Sequence, residues 1–252
     1  MKIALLSDIH ANLPALEACL AHARARGARQ FALLGDLVGY GATPGPVLER
    51  AMALIGEGAP CVRGNHDDAA LHPPATVQSF GDQSAQWTGP RLSERERDFI
   101  ASLPLTARMG RHALLVHASA DSPERWRYVN NSAAAERSLR AATQIDPAIR
   151  YVFSGHVHEQ ALYFLTHTAR LMRFAPHPGV PVPVAAHRQW LATVGSCGQP
   201  RDGDARAMYA LFDPEAATLA FERVHYDHAA AAAAIRASGL PPFFADRLEK
   251  GQ

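Results

Sequence analysis

KIALLSDIHANLPALEACLAHARARGARQFALLGDLVGYG, residues 2–41, decides the fold. Residues 2–7 are a short apolar run, read as a buried strand that stops at Asp8. Residues 13–26 carry helical spacing, with Leu13, Leu16, Leu20 and Ala23 on one face, and Gly27 ends the helix. Residues 30–34 are a second buried strand, closing on Gly35-Asp36. A strand, a helix and a strand in this order form a βαβ unit, which calls for a parallel sheet.

The pattern continues outward. A helix over 44–56 begins at Pro44, and a third strand, 59–63, closes on Gly64-Asn65-His66-Asp67. Residues 68–110 are less regular, with Pro73-Pro74, Gly89-Pro90 and a helical-looking SERERDFIASL, and are read as a helical excursion beside the site. Strands are expected at 113–117, ending in His117, and at 150–154, ending in Gly155-His156-Val157-His158, with a helix over 133–145 between them. Strands near 160–165, 190–195, 206–212 and 217–224 follow without helices, which suggests an antiparallel half. The Pro-rich stretch 176–183 is read as a loop, 227–237 as a helix, and the end of the chain as a Pro-rich tail. No linker interrupts residues 1–252, so one domain is expected.

Composition narrows the function. A net charge of +1 provides no broad basic field, which disfavours long nucleic acid as a partner. The three cysteines, Cys19, Cys61 and Cys197, have no paired spacing, which suits a reducing compartment. The first residues are too briefly apolar for a signal peptide, and no run is long enough to span a bilayer. A cytoplasmic protein with no membrane partner is the expectation. Lys2 and Lys250 are the only lysines, so the basic residues are nearly all Arg. Genomic composition accounts for that, and so does planar recognition of phosphate or carboxylate.

Each strand-end cluster has an ordinary reading when taken alone. Gly64-Asn65-His66-Asp67 suits a turn, and His117 suits a hydrogen-bonded core histidine. As a set they say more, because open α/β sheets gather ligands beyond the carboxyl ends of their strands. Alternation along an extended chain puts Asp8 and His10 on one side, and likewise His156 and His158. All are oxygen and nitrogen donors, suited to manganese, iron, zinc, cobalt or nickel. The remaining histidines (22, 72, 112, 167, 177, 187, 225 and 228) lack such a pattern and are read as surface or loop residues.

SDIH at 7–10, GDLVGYG at 35–41, GNHD at 64–67, VHAS at 116–119 and GHVH at 155–158 together resemble the calcineurin-like metallophosphoesterases. GSCGQPRDGDARAMYALFD, 195–213, is similar to the tail of one bacterial branch. The resemblance implies an α/β (α+β) fold: a four-layer αββα sandwich of two mixed sheets flanked by helices. It implies two divalent metal ions (manganese, iron or zinc), one held by Asp8, His10, Asp36 and His158. The other would be held by Asp36, Asn65, His117 and His156, with Asp36 shared. It implies attack on phosphorus by hydroxide between the metals, with His66 outside the ligand set as the residue that protonates the leaving oxygen or stabilises the phosphoryl group.

The expected reaction is hydrolysis of a phosphodiester or phosphoanhydride in a small substrate, a nucleotide among the candidates. Ser/Thr protein phosphatases have GDxVDRG where this chain has Gly39-Tyr40, which removes a carboxylate and a phosphate-gripping Arg and disfavours that alternative. A non-catalytic scaffold would be expected to have lost ligands, and all seven positions are present. Asn12, Tyr40, Arg63, Trp126, Tyr128 and Arg201 are candidate pocket residues. Asn12 and Arg63 adjoin metal motifs, and Trp126 and Tyr128 are able to stack a base or to serve as core. Arg201 either meets substrate or fixes its loop by pairing with Asp202 or Asp204. The sequence leaves the oligomeric state open.

Overall fold

A computed structural model of the chain describes residues 1–168 and 170–252. Two mixed sheets lie face to face. The first has five strands in the order β2-β1-β10-β11-β8. These are β1 (Lys2–Leu6), β2 (Ala28–Leu33), β8 (Val182–Pro183), β10 (Ala207–Asp213) and β11 (Thr218–Val224). The second has six strands in the order β3-β4-β5-β9-β6-β7. These are β3 (Thr106–Met109), β4 (Ala113–Val116), β5 (Tyr151–Ser154), β6 (Gln160–Leu165), β7 (Leu171–Phe174) and β9 (Trp190–Val194).

Period-two alternation builds the layers. In β1, Ile3 and Leu5 face the second sheet, while Ala4 and Leu6 face the helices. In β4, Ala113 and Leu115 face inward, and Leu114 and Val116 face out. The inter-sheet core therefore contains Phe153, Tyr151, Trp190, Phe212 and Phe221. The outer face of the first sheet is covered by α1 (Leu13–Ala25) and α2 (Pro44–Gly56), together with α3 (Asn65–Leu71) and α5 (Glu94–Ser102). The other outer face is covered by α6 (Ser132–Ile145), which completes the αββα sandwich. A separate cluster joins α7 (His228–Ala237) and α8 (Pro242–Lys250) to Tyr40. Among the described residues no helix is long and apolar enough to cross a membrane.

Several sequence expectations need correction. Residues 59–63 form no strand of their own; only a single parallel bridge, Leu33 to Cys61, forms there. The turn expected at Asn65 is the first turn of α3. The 68–110 segment contains α4 (Phe80–Thr88), a short 3-10 turn at Gly89–Arg91, α5 and also β3. The expected loop 176–183 ends in β8, and the Pro-rich tail is mostly α8, where Pro242 sits in the first turn and needs no amide partner. The later strands are not an antiparallel half. β9 runs parallel to β5, and the later strands divide between both sheets. Local pattern could not decide this, because strand partners are set by inter-sheet packing.

Phe153 is essentially buried between the sheets, 5.2 Å from the Phe212 ring. Phe153→Ala is expected to cost about 3–5 kcal/mol of unfolding free energy, read as a lower urea midpoint at unchanged m-value.

Candidate metal centre

Six residues of the centre lie beyond the carboxyl end of a parallel strand or in the turn that follows. Asp8 and His10 follow β1, and Asp36 follows β2; His117 follows β4, and His156 and His158 follow β5. Asn65 and His66 open α3. The centre thus straddles the ends of both sheets.

The chain is not extended at these positions. Asp8, His10, Asp36, His156 and His158 have φ between 49° and 67°, the left-handed region. Asp and His tolerate that region better than most residues, at about 1–2 kcal/mol each. The turns swing the side chains over the strand ends, whereas simple alternation would have kept them on the sheet faces. Convergence was legible in the sequence, but its cause is different from the one expected there. Gly155 belongs to the same arrangement, since a Cβ there would overlap Ser7 Oγ and the Asp8 carboxylate.

Two groups of three donors come together: Asp8, His10 and His158, and Asp36, His117 and His156. Within each group the ligand atoms lie within 4.8 Å of one another, and all six residues are buried. His158 Nε2 is 3.2 Å from Asp8 Oδ1, and His117 Nε2 is 3.2 Å from Asp36 Oδ2. The Asp36 Oδ2 atom also lies 3.7 Å from His10 Nε2, so one carboxylate oxygen joins the groups. Asn65 Oδ1 lies 3.1 Å from His117 Nε2.

The hydrogen bonds fit a pair of cations. Nδ1 of His10, His117 and His158 each faces a backbone carbonyl, of Val38 (3.2 Å), Leu34 (2.7 Å) and Gln199 (2.6 Å). A carbonyl only accepts, so each Nδ1 carries the hydrogen and each Nε2 turns its lone pair inward in the neutral ring. His10 Nε2 and His158 Nε2 stand 3.1 Å apart with no donor left to separate them. Asp8 Oδ2 accepts from the His156 amide at 2.9 Å, while Asp8 Oδ1 is buried with no partner, as is His156 Nε2. Asp36 Oδ1 accepts from the His66 amide at 2.8 Å. A cavity of converging lone pairs with orphaned acceptors costs free energy unless positive charge fills it.

The charges of the ligands respond to one another. Burial acts to raise both Asp8 and Asp36, but the neighbouring histidines override it and hold both carboxyls low. Burial acts to lower His117, and the Asp36 carboxylate outweighs it, lifting the imidazole to about 9. Burial, then the charge on His117, pushes His156 down to about 3. Burial also lowers His10 and His66. Asp67 accepts from the amides of Leu37, Val38 and Gly64, tying the two turns together. Burial, then the Asp36 charge, raises Asp67 to about 7.

The other expected residues divide. His66 packs edge-on to His10 at 5.1 Å and against Tyr40 at 4.3 Å, and its ring makes no hydrogen bond among the described residues. Gly39, with φ +88°, lets it in, since a Cβ there would sit 3.1 Å from His66. Tyr40 is buried between His10, His66 and Phe244. Tyr128 is exposed and stacked on His156 at 4.1 Å, and Trp126 meets His117 at 5.9 Å. Asn12 is occupied with structure. It caps α1 through the Ala15 amide and donates to Gly198 O and Tyr226 Oη. Arg63 is directed to Asp68, 3.5 Å away. Arg201 does not pair with Asp202 or Asp204; those carboxylates hold Arg223 and Arg206. Its guanidinium lies 5.7 Å from the Tyr40 ring. His22, expected at the surface, is half-buried on Tyr209 Oη.

The support that the loop after β9 gives the ligands lies outside the sequence reading, which drew only Arg201 of that loop into the pocket. Ser196 Oγ and the Gly198 amide both donate to Asp8 O, and Gln199 O orients His158. Its signal was present as GSCGQ directly after a buried apolar run.

Comparison with known proteins identifies the architecture. The model of the calcineurin-like phosphoesterase superfamily domain matches residues 1–217. The chain belongs to that superfamily. A metallophosphoesterase from Sphaerobacter thermophilus superimposes with a TM-score of 0.84 at 32% identity, covering 100% of this chain and 99% of the other. An uncharacterised protein of Methanocaldococcus jannaschii is 31% identical over 99% of this chain and 98% of its own length. A hypothetical protein from Pyrococcus horikoshii shares the fold, with a TM-score of 0.77 at 19% identity over 100% and 98%. In this superfamily member the two donor groups occupy the strand ends that the motifs indicated.

Two predictions follow from the geometry. Gly155→Ala is expected to destabilise the fold by more than about 2 kcal/mol and to lower metal content, measured by denaturation and elemental analysis. The second concerns pH in metal-free protein. Below the ordinary histidine value of 6.5, the unfolded chain takes up protons that His10, His66 and His156 refuse in the fold. Asp67 alone opposes them, so stability falls on acidification. From 6.5 to about 9 the folded state keeps the His117 proton that the unfolded chain loses, so stability falls on alkalinisation. After chelation, the urea midpoint should peak near pH 6.5; a steady rise from pH 5 to pH 9 would contradict these assignments.

Proposed function

We propose that this chain is a dinuclear metal-dependent phosphoesterase that hydrolyses a phosphodiester or phosphoanhydride in a small substrate, a nucleotide among the candidates. The observation that carries the reading is the Asp36 carboxylate oxygen shared between the two donor groups, 3.2 Å from His117 Nε2 and 3.7 Å from His10 Nε2. Asp8, His10, Asp36 and His158 would hold one ion, and Asp36, Asn65, His117 and His156 the other. Manganese, iron or zinc suits the mixed oxygen and nitrogen donors. Such ions supply Lewis-acid stabilisation of phosphoryl oxygens and a lowered pKa for bound water.

The chain's own groups do the rest. The carbonyls of Val38, Leu34 and Gln199 fix which nitrogen of three histidines faces inward. His66 sits beside His10 with a ring free to donate a hydrogen bond to the phosphoryl group or a proton to the leaving oxygen. Tyr128 and Trp126 border the second donor group and offer flat apolar faces to a base. Tyr40, wedged between His10 and His66, stands where protein phosphatases carry a phosphate-binding Arg, which favours a different substrate. Three buried free cysteines accord with a cytoplasmic setting.

With manganese added, the purified protein should hydrolyse bis-p-nitrophenyl phosphate. His66→Asn should lower kcat about 100-fold or more at unchanged metal content. Loss of metal in that variant would instead make His66 a ligand, and full metal occupancy without turnover of any phosphoester would point to a scaffold.

A further inference from the structure

A cavity of about 110 Å³ lies between the paired helices α7 and α8 and the turns that follow β1 and β2. Ala11, Ala42 and Thr43 form the wall on the side of the turns. Ala230, Ala231, Ala234 and Ile235 of α7 form the opposite wall, with Leu248 of α8 behind them. Helical spacing puts the three alanines on one face of α7, and their single methyl groups leave the space that longer side chains would fill. Pro14, Ala230 and Ala234 are exposed and frame the mouth, whereas His10, Tyr40 and Gln199 are buried and form the floor. Both helices follow residue 217, where the superfamily match ends, so this wall is an addition to the shared catalytic domain.

The lining sets the chemistry of an occupant. Among the described residues no Asp, Glu, Lys or Arg lines the cavity. Its polar side chains are turned to the protein. Asn12 accepts from the Ala15 amide and donates to Gly198 O and Tyr226 Oη. Thr43 Oγ1 donates to Ala11 O at 2.7 Å and accepts from the Leu13 amide at 3.3 Å. Gln199 Oε1 accepts from Arg201. His10 commits both nitrogens elsewhere: Nδ1 to Val38 O at 3.2 Å, and Nε2 into the first donor group, 3.1 Å from His158 Nε2. Only ring carbon is left to face the cavity, which therefore meets the donor group from outside. Such a space offers water few partners, and apolar cavities of this order stay dry and admit molecules the size of benzene. An anion placed there would lose its hydration without gaining a counter-charge.

We propose that this cavity is a second small-molecule site, which binds a free, neutral, apolar ligand with one aromatic ring or a short branched chain. The mouth at Pro14, Ala230 and Ala234 admits the ligand from solvent, with no passage through the donor groups. At the floor the ligand rests on His10 and on Gln199, whose carbonyl orients His158. The site is thus distinct from the one that takes phosphate, yet shares two supports with it.

The test is titration of the purified, zinc-loaded protein with toluene, followed by amide NMR. Saturable shifts are expected at Gly41, Ala42, Ala231 and Ala234. Benzoate, a ring of similar size with a charge, should bind at least about 10-fold weaker. Ala231→Leu places a larger side chain in the cavity and should weaken toluene binding about 10-fold or more. Ala234→Phe does the same from the exposed rim, and serves if thermal melts show that Ala231→Leu does not fold. Phenylphosphonate, which joins a ring to a group that seeks the metals, should leave toluene in place. Its displacing toluene would mean that the cavity takes part of a substrate reached through the metal centre, and would overturn the assignment to a free ligand. Absence of saturable toluene binding, equal binding of benzoate, or toluene binding unchanged in both variants overturns the site itself. None of these readouts requires turnover.

Discussion

The Asp36 carboxylate is the interaction on which the rest of the site depends. One oxygen is fixed by the His66 amide and the other faces His117 and His10, so both donor groups take their positions from it. Its charge is buried, and burial alone would favour the neutral acid. The surrounding histidines keep it ionised, and it in turn raises His117 and Asp67. Such mutual dependence makes the site one electrostatic unit, in which no ligand has its charge state independently of the others.

The backbone accommodates that unit at some cost. Five ligand residues occupy the left-handed region, and they persist there because the surrounding strands over-determine them. Leu6 O, Gly35 O and Asp36 O are all consumed by amides that tie β1 to β2 across the turns. The loop after β9 adds three more bonds to Ser7 O and Asp8 O. The inter-sheet core stands behind these turns and holds the strand ends of both sheets at a fixed spacing. Strain at the site is therefore offset by packing far from it.

Much of the site was readable because its chemistry is carried by residue type. Asp8, His10, Asp36, His117, His156 and His158 were placed by the motifs that close apolar runs, and all six converge. The substrate walls were less readable. Asn12 looked like a polar group beside a motif, yet a helix start needed its oxygen and two loops needed its amide. Arg201 read either as a substrate group or as a partner of the acids next to it, yet Asp202 holds Arg223 and Asp204 holds Arg206 two residues on. The Phe244 contact with Tyr40 carried no local signal, since α8 lay in a Pro-rich stretch read as a tail.

The sequence by itself determined the opening βαβ unit and the kind of donor at each strand end, because hydrophobic periodicity and side-chain chemistry are local properties; the four-layer sandwich came from the motifs' resemblance to a family. Tertiary structure decided which strands share a sheet, that left-handed turns bring the ligands together, and which oxygen of Asp36 is shared. It also decided that α8 packs its Phe244 against Tyr40. These depend on which distant segments pack together, and a one-dimensional pattern leaves such pairings open.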